Sequence, residues 1–498
     1  MRGFKLLVPA MIVGLLIGCG STGSYDSSST YNKNLYGKIA LRASEYEGVA
    51  RNPVIVIHGF LGARLQNTKT GQNVWGSFSG WEILAGLSDS QLRDFSHPMG
   101  LGKPLKALTN DVNPVGLLDQ VNVRLLGYSF ELNEYGGLLD LLRRGGYYDE
   151  KLPLPSDKHF ASLFVFYYDW RRDLPENAAR LQQFITQKRA YMQQQYEKYY
   201  HLKNYDVQFD LIAHSMGGLL ARYYLRYGNQ DLPADGALPK LDWRGHNYID
   251  KLMIVGTPNQ GYLDTVMEMN SGLQVAFGAP TYPPAVIGTF PTYYQMMPAP
   301  GIRAVLYADN QQGREVDLFD PAVWIALKWG IVNPEQDKVL QVLLPQVSSA
   351  AERRKIAIDH LTKCLKRAKQ FAAAMNVKGV PPDDVALFLF AGDAVQTRRT
   401  AVVDRRTGKL SVIETEPGDG KVLASSARAD WCSNNECPLF LDTPIKWTGI
   451  YHLKAAHMGL TNSGDFANNA SFLMLLFPTR RQDENRNYYH ELAQPLKL

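Results

Sequence analysis

The residue of this sequence best placed to do chemistry is a serine between a strand-like apolar run and a helix-like one. It is Ser215, in Phe209-Asp210-Leu211-Ile212-Ala213-His214-Ser215-Met216-Gly217-Gly218-Leu219-Leu220-Ala221-Arg222. A chain that turns from strand to helix within a few residues forces the apex residue into a strained conformation and leaves room only for small neighbours. Ala213 stands two positions before Ser215 and Gly217 two after, which is the G-x-S-x-G elbow with alanine in its first slot. A serine that merely caps the following helix is the competing reading. The flanking strand, the glycine pair and the long apolar helix favour a nucleophile.

A serine hydroxyl alone is a weak nucleophile, so the elbow predicts a base, an acid that orients the base, and backbone donors for an oxyanion. Upstream, Pro53-Val54-Ile55-Val56-Ile57-His58-Gly59-Phe60-Leu61-Gly62 reads as a buried parallel strand that ends in a His-Gly turn. In an α/β-hydrolase one oxyanion donor is the amide after the nucleophile, here Met216, and the other comes from the loop after this strand. Phe60 is the choice there, with Leu61 the alternative. His58 is read as a brace for the turn, not as the base.

In that fold the acid and then the histidine follow the nucleophile along the chain. His360 lies in a charged amphipathic stretch and is expected on a solvated helix face; His490 lies in a polar tail; His452 is embedded in strand-like sequence. His457 sits on small residues just past that strand, where an imidazole can project toward the elbow. Two aspartates compete as the acid. Asp393 ends the apolar strand Val385 to Gly392, where active sites of open parallel sheets lie. Asp419 lies in the glycine-flanked loop Glu416-Pro417-Gly418-Asp419-Gly420-Lys421-Val422, which could equally be a plain β-turn between 410–413 and 422–424. Spacing leaves both open.

Six segments taken in order carry a resemblance: His58-Gly59-Phe60-Leu61-Gly62, Tyr167-Tyr168-Asp169-Trp170-Arg171, Ala213 to Gly218, Gly256-Thr257-Pro258-Asn259-Gln260-Gly261, Gly418 to Val422, and His457-Met458-Gly459-Leu460. Over about residues 50 to 475 the chain resembles the lecithin:cholesterol acyltransferase family and its lysosomal phospholipase A2 relatives. The resemblance implies an α/β-hydrolase fold, cleavage of an acyl ester in a lipid, and transfer of the acyl group to an alcohol or to water. It implies Ser215 as nucleophile, Asp419 as acid and His457 as base, and so favours Asp419 over Asp393. Lys421 departs from the family's usual threonine. His58-Gly59-Phe60 looks more like the turn of bacterial lipases than the Pro-Gly turn of the animal enzymes.

The elements around these residues read as α/β. Strands are expected at 53–58, 162–168, 208–214, 251–256 and 385–391, with helices from Glu176 to Tyr200 and from Gly217 to Tyr227. That alternation argues for a mostly parallel central sheet with inserted cap or lid segments. One insertion, about 64–160, holds Trp75 and Trp81, expected at a lipid surface, with buried aromatics of a satellite core as the competing reading. The other, about 262–384, holds Met267, Met269, Met296 and Met297, a soft apolar surface that suits a lid over a lipid chain or, equally, the ordinary core of an α-helical cap. The Asp169-Trp170-Arg171-Arg172 run is read as structural pairing near the pocket.

Residues 1–18 resemble a bacterial lipoprotein signal peptide, with Arg2 and Lys5 before an apolar run and Cys19 at its end. Cleavage would leave Cys19 as a lipid anchor on a Ser-rich tether over 19–35, ahead of one catalytic domain over 36–498. Gly20, not aspartate, follows the cysteine, which points to the outer membrane and an exported, periplasm-facing protein. Cys432 and Cys437 are expected to form a disulfide loop and Cys364 to remain unpaired. A net charge of +5 spread over 498 residues carries no nucleic-acid signature. No cofactor or metal is expected. The leading function is a serine lipase, phospholipase or O-acyltransferase. Its rivals are a non-catalytic lipid-binding scaffold and a carboxylesterase for small soluble esters.

Overall fold

The computed structural model describes residues 41–475 and 477, apart from 43–44, 77–86, 119, 126–127, 134, 276–280, 309–312 and 431–442. Expectations that concern the signal peptide, Cys19, the tether, Trp81, Cys432, Cys437 and His490 therefore lie outside the described residues.

Six strands form the central sheet: β1 (Val54–Ile57), β2 (Leu163–Phe166), β3 (Phe209–His214), β4 (Ile249–Val255), β5 (Ala386–Gly392) and β6 (Gly449–Leu453). They lie in the order β6-β5-β4-β3-β1-β2, and every neighbouring pair is parallel. The first five match the strands expected from sequence. β1 to β5 are buried along their whole length, which is why they read as continuous apolar runs and not as alternating ones.

Both faces of the sheet are covered, and alternate strand residues serve alternate faces. Ile55, Ile57, Phe164, Leu211, Ile254 and Leu389 join one core with the helices α2 (Leu174–Tyr200), α3 (Met216–Tyr227) and α5 (Ala350–Met375). Val54, Val56, Val165, Ile212, Val255 and Phe390 join a second core with α1 (Gly136–Arg144) and α6 (Gly464–Leu475).

Two expectations about these regions are corrected, and one open choice is narrowed. Trp75 is buried and not at a lipid surface: its indole donates to the Leu61 carbonyl at 2.7 Å, and its ring packs with Phe95, Trp170 and Tyr282. His360 is fully buried on α5, not solvated, with Nε2 3.0 Å from the Thr289 carbonyl. Lys-rich neighbours made that helix look exposed, but Ala357, Leu361, Cys364, Leu365 and Ala368 turn its other face into the core. The open choice concerns the methionines: Met269, Met296 and Met297 are buried, as the core reading of that insertion has it. Much of 262–384 is core that covers the sheet. Tyr227 and Arg222 of α3 bond the carbonyls of Ala374 and Met375 at the end of α5. Cys364 is a free, buried thiol.

Candidate active site

The elbow after β3, the turn after β1, the Asp419 loop and the turn after β6 meet at the carboxyl ends of the strands, where the sheet reverses its order of growth around β1. Ser215 follows β3 with φ 53° and ψ −126°, a region L-residues rarely occupy. Its amide donates to the Val255 carbonyl at 2.7 Å and its carbonyl accepts from the Thr257 hydroxyl at 2.9 Å, so both sides of the apex are tied to the end of β4. Gly217 is the small residue the elbow needs, since a Cβ there would fall 2.3 Å from the His58 carbonyl oxygen. At the first slot Ala213 is accommodated in the buried strand, between Ile57 and Ile254.

His457 enters from the turn after β6. Its Nε2 lies 2.9 Å from Ser215 Oγ, and its Nδ1 lies 2.7 Å from Asp419 Oδ2. With the carboxylate on Nδ1, the proton belongs on that nitrogen and Nε2 is left to accept from the serine. Asp419 is buried, and its Oδ1 accepts the amides of Lys421 at 3.0 Å and Val422 at 2.7 Å. Its carbonyl accepts the His457 amide at 2.8 Å, so the acid loop grips both ends of the histidine.

The sequence also allowed a plain turn at Asp419 between two strands. The hairpin there is instead Val395–Val403 with Leu410–Gly418, and Asp419 follows its second strand. Residues 424–428 form a helical turn, not a strand. Asp393, the alternative acid, faces a different histidine: its Oδ2 is 3.4 Å from His452 Nδ1.

The turn after β1 is fixed at nearly every polar atom except two amides. Tyr168 donates its amide to His58 Nε2 at 3.2 Å, so Nδ1 carries the proton and donates to the Gly59 carbonyl at 2.7 Å. Tyr168 also donates its hydroxyl to the His58 carbonyl at 3.0 Å and stacks on the imidazole. Burial pushes the His58 pKa down to about 4 against the pull of the Gly59 carbonyl, which keeps the ring neutral. His58 is thus a brace, as its sequence context suggested.

Gly59 lacks a side chain because a Cβ would lie 2.8 Å from that of Ser215. Leu61 adopts φ 64°, and its carbonyl is taken by Trp75. Among the described residues the Phe60 and Leu61 amides find no acceptor. The Met216 amide opens α3, where a helix has no internal acceptor to offer.

Residues beyond those singled out complete the site. Lys421 reaches Asp264 Oδ2 at 3.1 Å and Glu268 Oε1 at 2.9 Å on α4 (Asp264–Ser271). Glu268 in turn accepts the Tyr293 hydroxyl, and the Tyr293 ring packs 5.0 Å from that of Phe60. The acid loop and the oxyanion turn are therefore linked through α4. Nothing local marks Glu268 or Tyr293 in the sequence, and the departure of Lys421 from the family pattern did not name its partners. Behind the site, Asp169 and Arg171 form a buried pair at 2.9 Å. Burial works against the Asp169 charge, but Arg171 outweighs it and holds the carboxyl below its ordinary range.

Residues 159–319 match the model of the lecithin:cholesterol acyltransferase family. That segment contains Ser215 and the Gly256–Gly261 loop, while Asp419 and His457 lie beyond it. No curated protein matches the chain. Among solved structures, a chain of the Tle4–Tli4 complex aligns over 86% of this chain and 98% of its own, with 14% identity and a TM-score of 0.52. That likeness shows a shared fold. The mature form of the Bacillus licheniformis lipase BlEst2 covers 86% of this chain and 94% of its own at 11% identity, with a TM-score of 0.28. EstA from Clostridium botulinum covers 88% and 91% at 13% identity, with a TM-score of 0.32. Scores this low carry no weight of their own.

Proposed function

We propose, from the premise that this chain is a serine acyl-ester enzyme of hydrolase or acyltransferase kind with a lecithin:cholesterol acyltransferase-family segment, that it cleaves lipid esters through an acyl-enzyme on Ser215. One observation carries the reading: an unbroken chain of hydrogen bonds, 2.9 Å from Ser215 Oγ to His457 Nε2 and 2.7 Å from His457 Nδ1 to Asp419 Oδ2.

In this scheme Ser215 Oγ attacks the ester carbonyl carbon as its proton passes to His457 Nε2. Asp419 stabilises the imidazolium through Nδ1–H, and the Phe60 and Met216 amides receive the negative oxygen. Each such donor is worth ~100- to 1000-fold in rate. Collapse breaks the bond to the leaving alcohol, which takes the proton from His457. Water or a lipid alcohol then gives its proton to His457 as it attacks the acyl carbon, and collapse of this second tetrahedral state breaks the bond to Ser215 Oγ, which takes the proton back from His457.

A lipid substrate is supported by the family segment and by the aromatic surroundings of Phe60, which include Trp170, Phe290 and Tyr293. Tethering through a lipidated Cys19, with export to the periplasmic side, belongs to the same proposal and rests on the N-terminal sequence.

Purified protein should release fatty acid from phospholipid vesicles, and Ser215→Ala should abolish it. Addition of an alcohol acceptor should divert acyl groups into a new ester. Full activity in the alanine variant would reject the scheme. A preference for short soluble esters over vesicles would replace the lipid reading with that of a carboxylesterase.

A further inference from the structure

The start of α1 stands inside the insertion that the sequence assigned to membrane contact, yet it touches three parts of the site. Tyr135, the residue before α1, is fully buried. Its hydroxyl accepts the Gly59 amide at 2.8 Å and lies 3.1 Å from His214 Nδ1. Gly59 opens the oxyanion turn, and His214 is the last residue of β3, next to Ser215. One oxygen atom thus bridges the turn that bears the donors and the strand that bears the nucleophile.

Two glycines show that the chain is shaped to admit this contact. A Cβ on Gly62 would lie 2.8 Å from His58 Cβ and 2.9 Å from both His58 Nδ1 and the Tyr135 hydroxyl, so the last residue of the oxyanion turn must be bare for the histidine brace and that hydroxyl to fit together. A Cβ on Gly137 would fall 2.1 Å from Asn462 Oδ1, and Asn462 closes the short helical turn that begins at His457. Leu138, Leu139 and Leu142 anchor the following helix in the second core. A buried, anchored helix start is a rigid reference point.

We infer that Tyr135 is a positioning residue that sets the distance between the oxyanion donors and Ser215 through its shared hydrogen bonds to Gly59 and His214. The inference rests on the proposed roles of Ser215 and the oxyanion turn. It differs from a packing role in what it controls. The ring fills space in either case, but the hydroxyl fixes where the Phe60 amide points when charge develops on the substrate oxygen. Its loss should therefore weaken the tetrahedral state and leave ground-state ester binding alone.

The test compares Tyr135→Phe with Tyr147→Phe. Tyr147 is a buried tyrosine of the same core whose hydroxyl donates to the Met474 carbonyl at 3.4 Å, away from the site. Three quantities are measured: kcat and KM on p-nitrophenyl butyrate, inhibition by n-butylboronic acid, which forms a tetrahedral adduct on an active serine, and fluorophosphonate labelling.

Tyr135→Phe should lower kcat ~10- to 100-fold, less than removal of a donor outright. KM should stay within about twofold and the boronate constant should weaken by the same factor as kcat. Tyr147→Phe should match the wild type. If Tyr135→Phe folds poorly, His214→Phe, which keeps a ring and removes the nitrogen facing the same hydroxyl, should lower kcat with KM unchanged. Equal behaviour of Tyr135→Phe and Tyr147→Phe, or a rise in KM with kcat unchanged, would overturn the inference. A wild type that resists both fluorophosphonate and boronate would overturn the reading of Ser215, and this inference with it.

Discussion

Two histidine–aspartate pairs stand at the same end of the sheet, with their histidines five positions apart in the chain, and only one is built for catalysis. In the first, Asp419 and His457 meet at 2.7 Å with side chains 1% and 12% exposed. In the second, Asp393 and His452 meet at 3.4 Å with side chains 39% and 37% exposed. Asp419 also accepts two backbone amides, and the far nitrogen of His457 reaches Ser215. The contrast shows what a histidine and an aspartate need beyond proximity. Burial removes competing water, and bonds to the carboxylate's second oxygen leave it one orientation. An imidazole with partners on both nitrogens has its tautomer decided.

The largest effect expected from breaking this contrast is that of Asp419→Asn. The amide keeps the shape but no longer demands a proton on His457 Nδ1, and kcat should fall ~10,000-fold. Asp393→Asn should leave kcat within about twofold, since a half-exposed pair is worth little. Steady-state kinetics on a soluble ester decides both, and comparable losses would remove the distinction.

A second test sets buried neutral histidines against the pair at the nucleophile. Burial pushes both His58 and His360 down to about 4, whereas an unfolded imidazole titrates near 6.5. Between those values the unfolded chain binds more protons, so stability is fully present above pH 6.5 and falls as pH drops toward 4. Each histidine should contribute roughly 3 kcal/mol to that loss. Urea unfolding at several pH values checks it, and a flat profile from pH 7 to 4.5 would contradict the burial of these rings.

Close approach at the elbow comes next. Gly59→Ala would put a methyl 2.8 Å from Ser215 Cβ and 3.2 Å from the His214 carbonyl oxygen, so the turn must shift. A displacement of that kind should cost ~100-fold in kcat. Thermal melts on the same samples separate a shifted turn from a collapsed fold.

The smallest effect concerns the link that holds the acid loop from outside. Glu268→Gln weakens the bond to Lys421 and the one from Tyr293, and should lower kcat about two- to fivefold at low salt, since a partly exposed ion pair is screened. The deficit should narrow as salt is added, because screening weakens the same pair in the wild type while Asp419 and His457 keep their own contacts. Measurement of kcat against ionic strength reveals it.

Much of the site was readable in one dimension because its requirements are local. The elbow demands an apolar strand and then a small residue, a serine and a glycine at alternate positions, and a buried parallel strand demands a continuous apolar run. Those constraints exposed Ser215, the first five strands and the His58 turn. The choice of Asp419 needed family resemblance, because a Gly-Asp-Gly run satisfies a turn as well as an acid loop. Trp75 misled for a related reason: an indole suits both a lipid interface and a core, and only its bond to Leu61 separates them. His360 misled because the lysines on one face of its helix hid the buried side.

The sequence by itself determined the order of strands and helices, the strained serine, the glycines that let its neighbours approach, and the reaction class they serve. The resemblance favoured Asp419, but tertiary structure alone set it on His457 with Asp393 turned to His452, and it made Tyr135, Glu268 and Tyr293 part of the site. The physical reason is range. Backbone turns and burial patterns are set by neighbours in the chain, whereas hydrogen bonds such as Tyr135 to Gly59 or His457 to Ser215 join residues 76 and 242 positions apart. No local pattern records such a pairing until the sheet brings its strand ends together.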